Sequence, residues 1–489
     1  MKLNIRNFLL ENIGIKQTIL KNTFWLTLAE IIRRLSSVVL LIYAARILGA
    51  TGYGRFTFAL SFVSLLIVLA DLGLYEIVTR EFVKHKEAEK EYPSIFSLKI
   101  FLSAAALIIM LVGSFFITND PIVRKAIWLF SFFIAITSFF SLICAFFRAR
   151  QKMEYEALAI AVQMVLIIAI GFFVLIWFPS VLNLIAGYLI ANLITLCLIV
   201  VLFHFFIYPI KFGFDKAVWK KFLKYSWPLA FGLTFGWVLI YINSAVMGYF
   251  GQLAQIGWYN AAYKILGAIV ISAAIISKSF YPALSKLFKE PKENFLKIWG
   301  YQMGAMGIIA IPILVGGFIL APKIILFFYG SDYMPSIPIF RLLLFICVVD
   351  FIYYPYATVM AISNRQNKLF YIMLVGVTLN TVLTILLVPK YSYYGAAAAA
   401  ILSSFIALIT VIAQSARAVP FFSVPGLLKL FFYSAVASGL MAAVISYKGI
   451  GDFNVLFIAA LGILTYFSAL SFFYRKHLKT ILLELKTIK

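Results

Sequence analysis

The chain has 489 residues, of which 64% are hydrophobic and only 12% are charged. A water-soluble protein of this length cannot bury so much apolar surface, and no polar stretch is long enough to form a soluble domain. The formal net charge of +24 would suit a nucleic-acid partner. However, the basic residues lie in short loops between apolar stretches, where they fit membrane orientation and anionic lipid headgroups instead. We therefore expect one multi-pass membrane domain and exclude nucleic-acid binding.

Apolar stretches longer than about eighteen residues recur along the whole chain, which predicts membrane-spanning helices. Backbone polar groups in hydrocarbon must be satisfied within each helix, so the expected fold class is all-α integral membrane. We predict about fourteen helices, numbered here in chain order: 23–47, 56–78, 95–117, 123–147, 155–178, 183–207, 226–249, 258–280, 298–320, 337–361, 369–389, 394–418, 426–447 and 453–474.

The basic residues are distributed unevenly between alternate loops. If the N-terminus is cytoplasmic, the cytoplasmic loops hold most of them, as in the loop that contains Lys216, Lys220 and Lys224. The opposite loops are short, and the longest covers residues 321–336. The positive-inside rule therefore predicts a cytoplasmic-membrane protein with both termini in the cytoplasm. We expect the first span to remain as an uncleaved anchor.

Two parts of the chain resemble each other. The segment "KNTFWL" from Lys21 is similar to "KYSWPL" from Lys224, and Gly52-Tyr53 matches Gly257-Trp258 at nearly the same offset. The offset covers six helices, an even number, which predicts two lobes in a parallel pseudo-two-fold repeat, as in some secondary transporters. The predicted domains are an N-terminal lobe with helices 1–6 (1–210), a C-terminal lobe with helices 7–12 (211–420), and helices 13 and 14 with a basic cytoplasmic tail (421–489).

Charged side chains within spans are costly, so they face a cavity or one another. Helix 1 carries Glu30, Arg33 and Arg34, and helix 8 carries Lys264. One alternative is an internal ion pair on helix 1, although one arginine would remain uncompensated; another is a Lys264 side chain that reaches the membrane surface. A carrier of anionic cargo needs such cations, so Arg33, Arg34 and Lys264 are the candidate ligands of a diphosphate.

Other polar and aromatic residues suggest further roles. Trp237 and Tyr241 share one face of helix 7, where aromatic rings can stack on sugars, and Asn260 lies one turn before Lys264. These three are candidate glycan contacts, with ordinary helix packing as the alternative. Asp71 and Asp350 are candidates for coupling to H⁺ or Na⁺. Asp350 is the best single candidate, with pairing to a basic neighbour as its alternative.

Seven segments in order carry a resemblance to a known family: "ARILGATGYGRFTFA" (45–59), "SWPLA" (226–230), "VMGYFG" (246–251), "IGWYNAAYKI" (256–265), "FYPALSKLF" (280–288), "FFYGSDY" (327–333) and "VPKYSYYGAAAAA" (388–400). The chain resembles lipid-linked oligosaccharide flippases, in the polysaccharide transporter branch of the multidrug/oligosaccharidyl-lipid/polysaccharide superfamily. The resemblance extends over nearly the whole chain.

The resemblance implies two six-helix lobes, two additional helices, and movement of a polyprenyl- or dolichyl-diphosphate oligosaccharide between leaflets by alternating access through a cationic central cavity. It also implies that basic residues of helices 1 and 8 meet the diphosphate, and the matching positions are Arg34 and Lys264. The family often has an aspartate in helix 7 shortly before "VMGYFG", where this sequence has Asn243. Any ion-coupling role of that acid is therefore in doubt here.

Two alternatives remain open at this point. A multidrug extruder of the same fold would be expected to carry a clearer acidic site in one lobe. A membrane glycosyltransferase or polymerase would need acidic groups near an outer loop. No GxxxxGK[ST] motif is present, so direct ATP use is not expected. We expect a non-enzymatic, monomeric transporter with no catalytic residues, no metal and no cofactor.

Overall fold

The computed structural model of the protein describes residues 15–84, 90–419, 426–447, 449 and 453–487. No strand occurs in these ranges. The helices are α1 (Ile15–Asp71), α2 (Leu74–Lys84), α3 (Tyr92–Ile117), α4 (Pro121–Ala149), α5 (Met153–Trp177), α6 (Val181–Phe206), α7 (Lys216–Tyr249), α8 (Leu253–Leu287), α9 (Lys292–Tyr329), α10 (Ser336–Ile362), α11 (Gln366–Ala416), α12 (Leu427–Ile445) and α13 (Val455–Thr487). The all-α membrane fold class is thus confirmed, and predicted helices 3 to 10 correspond to α3 to α10.

The number of crossings differs from the expected fourteen because some helices are continuous. Among the described residues, 11 helical stretches are long and apolar enough to cross a membrane, or 12 with the bent α7. Predicted helices 1 and 2 form one stretch of 61 residues, and helices 11 and 12 form one of 51 residues. Both far exceed the roughly 20 residues that one crossing needs. Left-handed backbone at Gly49 (φ 67°) and Ser392 (φ 52°) divides them, and the count of fourteen stays a prediction.

The chain forms two compact units, Met1–Gly257 and Trp258–Lys489. In the first unit, α1 packs against α4, α5 and α7, and a core of aromatic and aliphatic side chains joins α2, α3, α4, α6 and α7. Side-chain caps begin two of these helices: Asp120 accepts from the Ile122 amide at 2.8 Å, and Asp215 accepts from the Ala217 amide at 2.8 Å. Such caps satisfy amides that have no partner within the helix. The predicted lobe boundaries at 210 and 420 stay a prediction.

Two glycine-containing segments that the sequence repeats pack against each other within the first unit, one inside α1 and one in the first turns of α8. A Cβ atom added to Gly54 would lie 1.7 Å from the carbonyl oxygen of Leu253. A Cβ atom added to Gly257 would lie 2.1 Å from the carbonyl oxygen of Ala50. Glycine at both positions therefore lets the two backbones approach more closely than any other residue allows.

In the second unit, α9 packs against α10, α12 and α13, and α10 packs against α11. Tyr466 of α13 is buried, and its hydroxyl lies 2.7 Å from the Ile308 carbonyl oxygen and 2.6 Å from the Ser434 hydroxyl. Predicted helices 13 and 14 are thus integrated into the bundle by buried polar contacts. Residues 421–425, 448, 450–452, 488 and 489 of the predicted C-terminal segment lie outside the described residues, as do the side chains of its tail from residue 474.

Candidate functional site

A cavity of about 250 Å³ lies within the first unit, and a few polar groups interrupt its mostly apolar wall. Residues of α1, α4 and α7, with the turn after α1 and the start of α2, form its wall. They are Ile67, Val68, Asp71, Gly73, Tyr75, Thr137, Ser138, Ser141 and Trp237. Two of them, Asp71 and Trp237, are predicted site residues, for which the sequence suggested separate roles. The structure brings them together.

The carboxylate of Asp71 is held by a lysine that the sequence reasoning overlooked. Lys99 of α3 is completely buried, and its ammonium group forms a short ion pair with Asp71 Oδ1. The Asp71 side chain keeps 24% of its surface exposed. The structure thus pairs Asp71 with a basic neighbour, which the sequence analysis did not anticipate for this residue. The signal for Lys99 was its position inside an otherwise apolar span, where an unpaired cation is rare.

Three hydroxyl groups of α4 lie beside this carboxylate. Thr137 donates to the Phe133 carbonyl oxygen at 2.8 Å, and Ser141 donates to the Thr137 carbonyl oxygen at 3.0 Å. Ser138 donates across to the Ala70 carbonyl oxygen of α1 at 3.0 Å. Each hydroxyl hydrogen is thus used within the protein, but each oxygen keeps lone pairs. The wall formed by α4 therefore chiefly offers hydrogen-bond acceptors.

Aromatic side chains of α7 continue the site away from the cavity. The rings of Trp237 and Tyr241 stack with centroids 5.8 Å apart and an interplanar angle of 14°. Tyr241 interacts with Ser64 of α1 and lies within electrostatic range of the Arg33 guanidinium. From Ser64 to Asp71 the helical rise of α1 amounts to roughly 10 Å. Arg33, Tyr241, Trp237 and Asp71 therefore mark one polar track, with a cation at one end and a carboxylate at the other.

Arg33 is already paired in the structure. Its guanidinium donates to the Glu30 carboxylate at 2.7 to 3.0 Å, and 53% of its side chain is exposed. Residues three apart are neighbours on a helix surface, so the internal ion pair on helix 1, stated above as an alternative, is present in the structure. Arg34 lies on α1, and its side chain lies outside the described part of the chain. The common binding of diphosphate by Arg33, Arg34 and Lys264 stays a prediction.

The remaining predicted residues belong to the second unit. Asn260 and Lys264 lie one turn apart on α8, both half-buried, and both have interaction partners in the structure. Asp350 lies in the middle of α10, half-buried, beside Cys347 and Tyr353. Among the described residues, no ion pair to Asp350 is found. Asp350 thus differs from Asp71, whose charge Lys99 offsets.

Two further ion pairs lie at the start of α5. Arg148 donates to the buried Glu156 through two nitrogen atoms, at 2.6 and 2.7 Å. Lys21, which is completely buried, contacts Glu154 at 3.1 Å. These contacts connect α4 and α1 to the start of α5, where they stabilise helix packing rather than a ligand.

Known proteins share this fold. The chain superposes on the lipid II flippase MurJ in an inward closed conformation with a TM-score of 0.76 and 18% identity, over 92% of this chain and 99% of that one. A multidrug resistance transporter of the MATE family, in an inward-facing conformation, gives 0.63 and 13% identity, over 82% and 100% of the two chains. At these identities the likeness shows the fold, which the two transporters share with this protein.

Sequence relatives are named as transporters. A probable flippase, AglR, from Haloferax volcanii is 26% identical over 240 residues, which are 47% of this chain and 49% of that protein. A putative O-antigen transporter from Shigella flexneri is 23% identical, over 65% of this chain and 78% of that protein. The chain thus spans about half the length of the archaeal relative. Such names agree with a non-enzymatic transporter.

The sequence pattern of one family matches residues 19–288, which is more than half of the chain. The matched region contains the whole polar track from Arg33 to Trp237 and also Lys264. The protein therefore belongs to the polysaccharide biosynthesis protein family.

Proposed function

We propose that this protein moves a polyprenyl- or dolichyl-diphosphate-linked oligosaccharide from the cytoplasmic to the outer leaflet of the cell membrane. The observation that carries the proposal is the polar track in a membrane-spanning unit of a polysaccharide biosynthesis protein. Its cationic end suits a diphosphate and its cavity suits a glycan. The names of the relatives, a probable flippase and a putative O-antigen transporter, support the same class of cargo.

The physical task is to move a charged, hydroxyl-rich headgroup through hydrocarbon. Alone, such a group crosses extremely slowly, because each desolvated polar group costs several kcal/mol. A polar surface inside the bundle replaces the lost hydration, while the prenyl tail stays in lipid. In the proposed cycle, alternating access opens this surface to one leaflet at a time.

In this proposal Arg33, Arg34 and Lys264 bind the diphosphate. An arginine binds phosphate oxygens with two parallel hydrogen bonds, and such charge-assisted bonds are about twice as strong as neutral ones. Because Arg33 already donates to Glu30, the diphosphate would compete with that carboxylate. Cargo binding would then break the ion pair between Arg33 and Glu30, so the Glu30 carboxylate would lose this partner in the bound state.

We assign ion coupling, to H⁺ or Na⁺, to Asp350 rather than to Asp71. Lys99 offsets the charge of Asp71, whereas among the described residues Asp350 has no such cation. In this proposal both termini lie in the cytoplasm, and a single copy of the chain carries out transport.

Leaflet exchange in sealed vesicles tests this function. The probe is the pool of lipid-linked oligosaccharides extracted from membranes of the source organism, and membrane-impermeant periodate reports which sugars face outward. We expect the purified protein to make the inner-leaflet pool accessible, whereas protein-free vesicles expose only the outer-leaflet fraction. Equal accessibility with and without protein would overturn the proposal.

The same assay tests the residues. Arg33→Gln, Arg34→Gln and Lys264→Gln should each slow exchange about tenfold or more, because each removes a charge-assisted hydrogen bond. Arg33→Lys keeps the charge and should lose less. Arg80→Gln removes a charge that pairs with Glu81 and lies outside the polar track, so it should leave exchange unchanged. Full exchange in all three glutamine variants would remove the proposed diphosphate site.

A further inference from the structure

The chemistry of the cavity in the first unit is unlike that of the arginine end of the track. Its wall contributes one carboxylate, on Asp71, and hydroxyl oxygens whose hydrogens are already donated to backbone carbonyl groups, on Thr137 and Ser141. The Tyr75 hydroxyl, which also lines the cavity, can donate or accept, but a ligand that satisfies Asp71 and the two α4 oxygens must supply hydrogen-bond donors. A diphosphate supplies only acceptors at neutral pH, so it cannot satisfy these oxygens.

A metal or sodium ion also fits poorly. Among the described residues that line the cavity, Asp71 is the only acid, and the buried ammonium group of Lys99 is in contact with it. This contact leaves no net negative charge to offset a second cation. Asp71 Oδ1 faces Lys99, so Oδ2 and the exposed 24% of the side chain remain for a neutral ligand.

Besides Asp71, Thr137 and Ser141, the wall contains the indole ring of Trp237, which stacks on Tyr241. Sugars present both features that this combination requires, hydroxyl groups that donate and an apolar C–H face that packs on an aromatic ring. The indole N–H is in addition a donor for which a sugar oxygen is the natural acceptor. The volume of about 250 Å³ is below the range of about 300–1,000 Å³ typical of drug-sized ligands. It suits one sugar unit.

We propose that this cavity is a saccharide subsite, in which Asp71, Thr137 and Ser141 accept hydrogen bonds from the hydroxyl groups of one sugar and Trp237 packs against its ring. The subsite rests on the proposed function and specifies which part of the cargo the cavity binds. With the diphosphate at Arg33, the track along Tyr241 and Trp237 leads from the phosphate to the glycan. Lys99 is then a positioning residue, since it fixes the Asp71 carboxylate without touching the ligand.

The test compares two forms of one ligand. Lipid-linked oligosaccharide extracted from the source organism is used intact, and a second portion is trimmed to the bare polyprenyl diphosphate. Binding of both to the full-length protein in nanodiscs is measured by native mass spectrometry. We expect the wild-type protein to bind the glycosylated form at least about tenfold more tightly, which is the effect of one or two hydrogen bonds with a ring contact.

The subsite variants should lose this preference while they still bind the bare diphosphate. Trp237→Leu removes the stacking surface, and the double variant Thr137→Val with Ser141→Ala removes two acceptors without breaking the Lys99 ion pair. The matched control is Ser131→Ala, since Ser131 is a buried serine of the same helix whose hydroxyl donates to the Ile127 carbonyl oxygen at 2.7 Å. It should keep the full preference.

Three results would overturn the inference. The first is a wild-type protein that binds both forms equally, which would remove the subsite and leave the diphosphate carrier intact. The second is an unchanged preference in the subsite variants. The third is binding of ²²Na⁺ that Trp237→Leu preserves and Asp71→Asn abolishes, which would assign the cavity to a cation. A wild-type protein that binds neither form would remove the proposed function together with the subsite.

Discussion

The ion pair between Asp71 and Lys99 gives an asymmetric prediction, because its two partners differ in exposure. Lys99 is 0% exposed, whereas the Asp71 side chain is 24% exposed toward the cavity. Asp71→Asn would therefore leave a fully buried cation uncompensated, which costs about 3–5 kcal/mol of unfolding free energy. Lys99→Met would leave a carboxylate that still reaches the cavity, and we expect a smaller loss, about 1–3 kcal/mol.

The double variant Asp71→Asn with Lys99→Met separates the pairwise contribution from the two single losses. Replacing a whole buried ion pair with neutral groups is often nearly neutral, so we expect the double variant to be more stable than Asp71→Asn alone. Reversible unfolding in mixed detergent and sodium dodecyl sulfate micelles, followed by circular dichroism, measures the free energies. Arg33→Met, which breaks an exposed pair with Glu30, is the control and should cost about 0–1 kcal/mol.

Two outcomes would refute this reasoning. If Lys99→Met were as destabilising as Asp71→Asn, exposure to the cavity would have no influence on the cost of an unpaired charge. If the two single losses simply added in the double variant, the side chains would not be coupled at all. Contacting side chains normally show coupling energies of about 0.5–3 kcal/mol.

Two further predictions concern packing. Gly54→Ala should destabilise the first unit by about 3 kcal/mol or more, because its Cβ atom would meet the Leu253 carbonyl oxygen at 1.7 Å and the two backbones would have to separate. Gly236→Ala is the control: its Cβ atom meets nothing within 4 Å, so it should stabilise α7 slightly. Equal changes in the unfolding free energy of the two variants, measured in the same titration, would contradict this account. Tyr466→Phe should cost about 1–2 kcal/mol in that assay, since it removes the hydroxyl that lies 2.7 Å from the Ile308 carbonyl oxygen, and an unchanged unfolding free energy would show that this contact is unimportant.

The membrane fold could be predicted from composition alone, because hydrocarbon permits few other solutions for long apolar segments. The number of membrane crossings was harder to predict from the sequence. The breaks at Gly49 and Ser392 are single residues in left-handed conformation, and the helix resumes at once on either side. The sequence analysis identified the similarity between Gly52-Tyr53 and Gly257-Trp258, but not that the segments around Gly54 and Gly257 pack directly against each other.

The candidate site could be predicted residue by residue but not as an arrangement. Asp71 and Trp237 were both identified, since a carboxylate and an indole in apolar helices are each conspicuous. Their common cavity depends on the rotation of α7 against α1 and α4, which spacing along one helix does not determine. Lys99 was missed for the same reason, because its role comes from a partner 28 residues away.

The most direct test of the central claim is a cryo-electron microscopy map of the protein bound to lipid-linked oligosaccharide from its source organism. The account predicts phosphate density at the Arg33 guanidinium, with Glu30 displaced, and density for a sugar between Trp237 and Thr137. Headgroup density away from this track, with the cavity beside Asp71 unfilled, would contradict it.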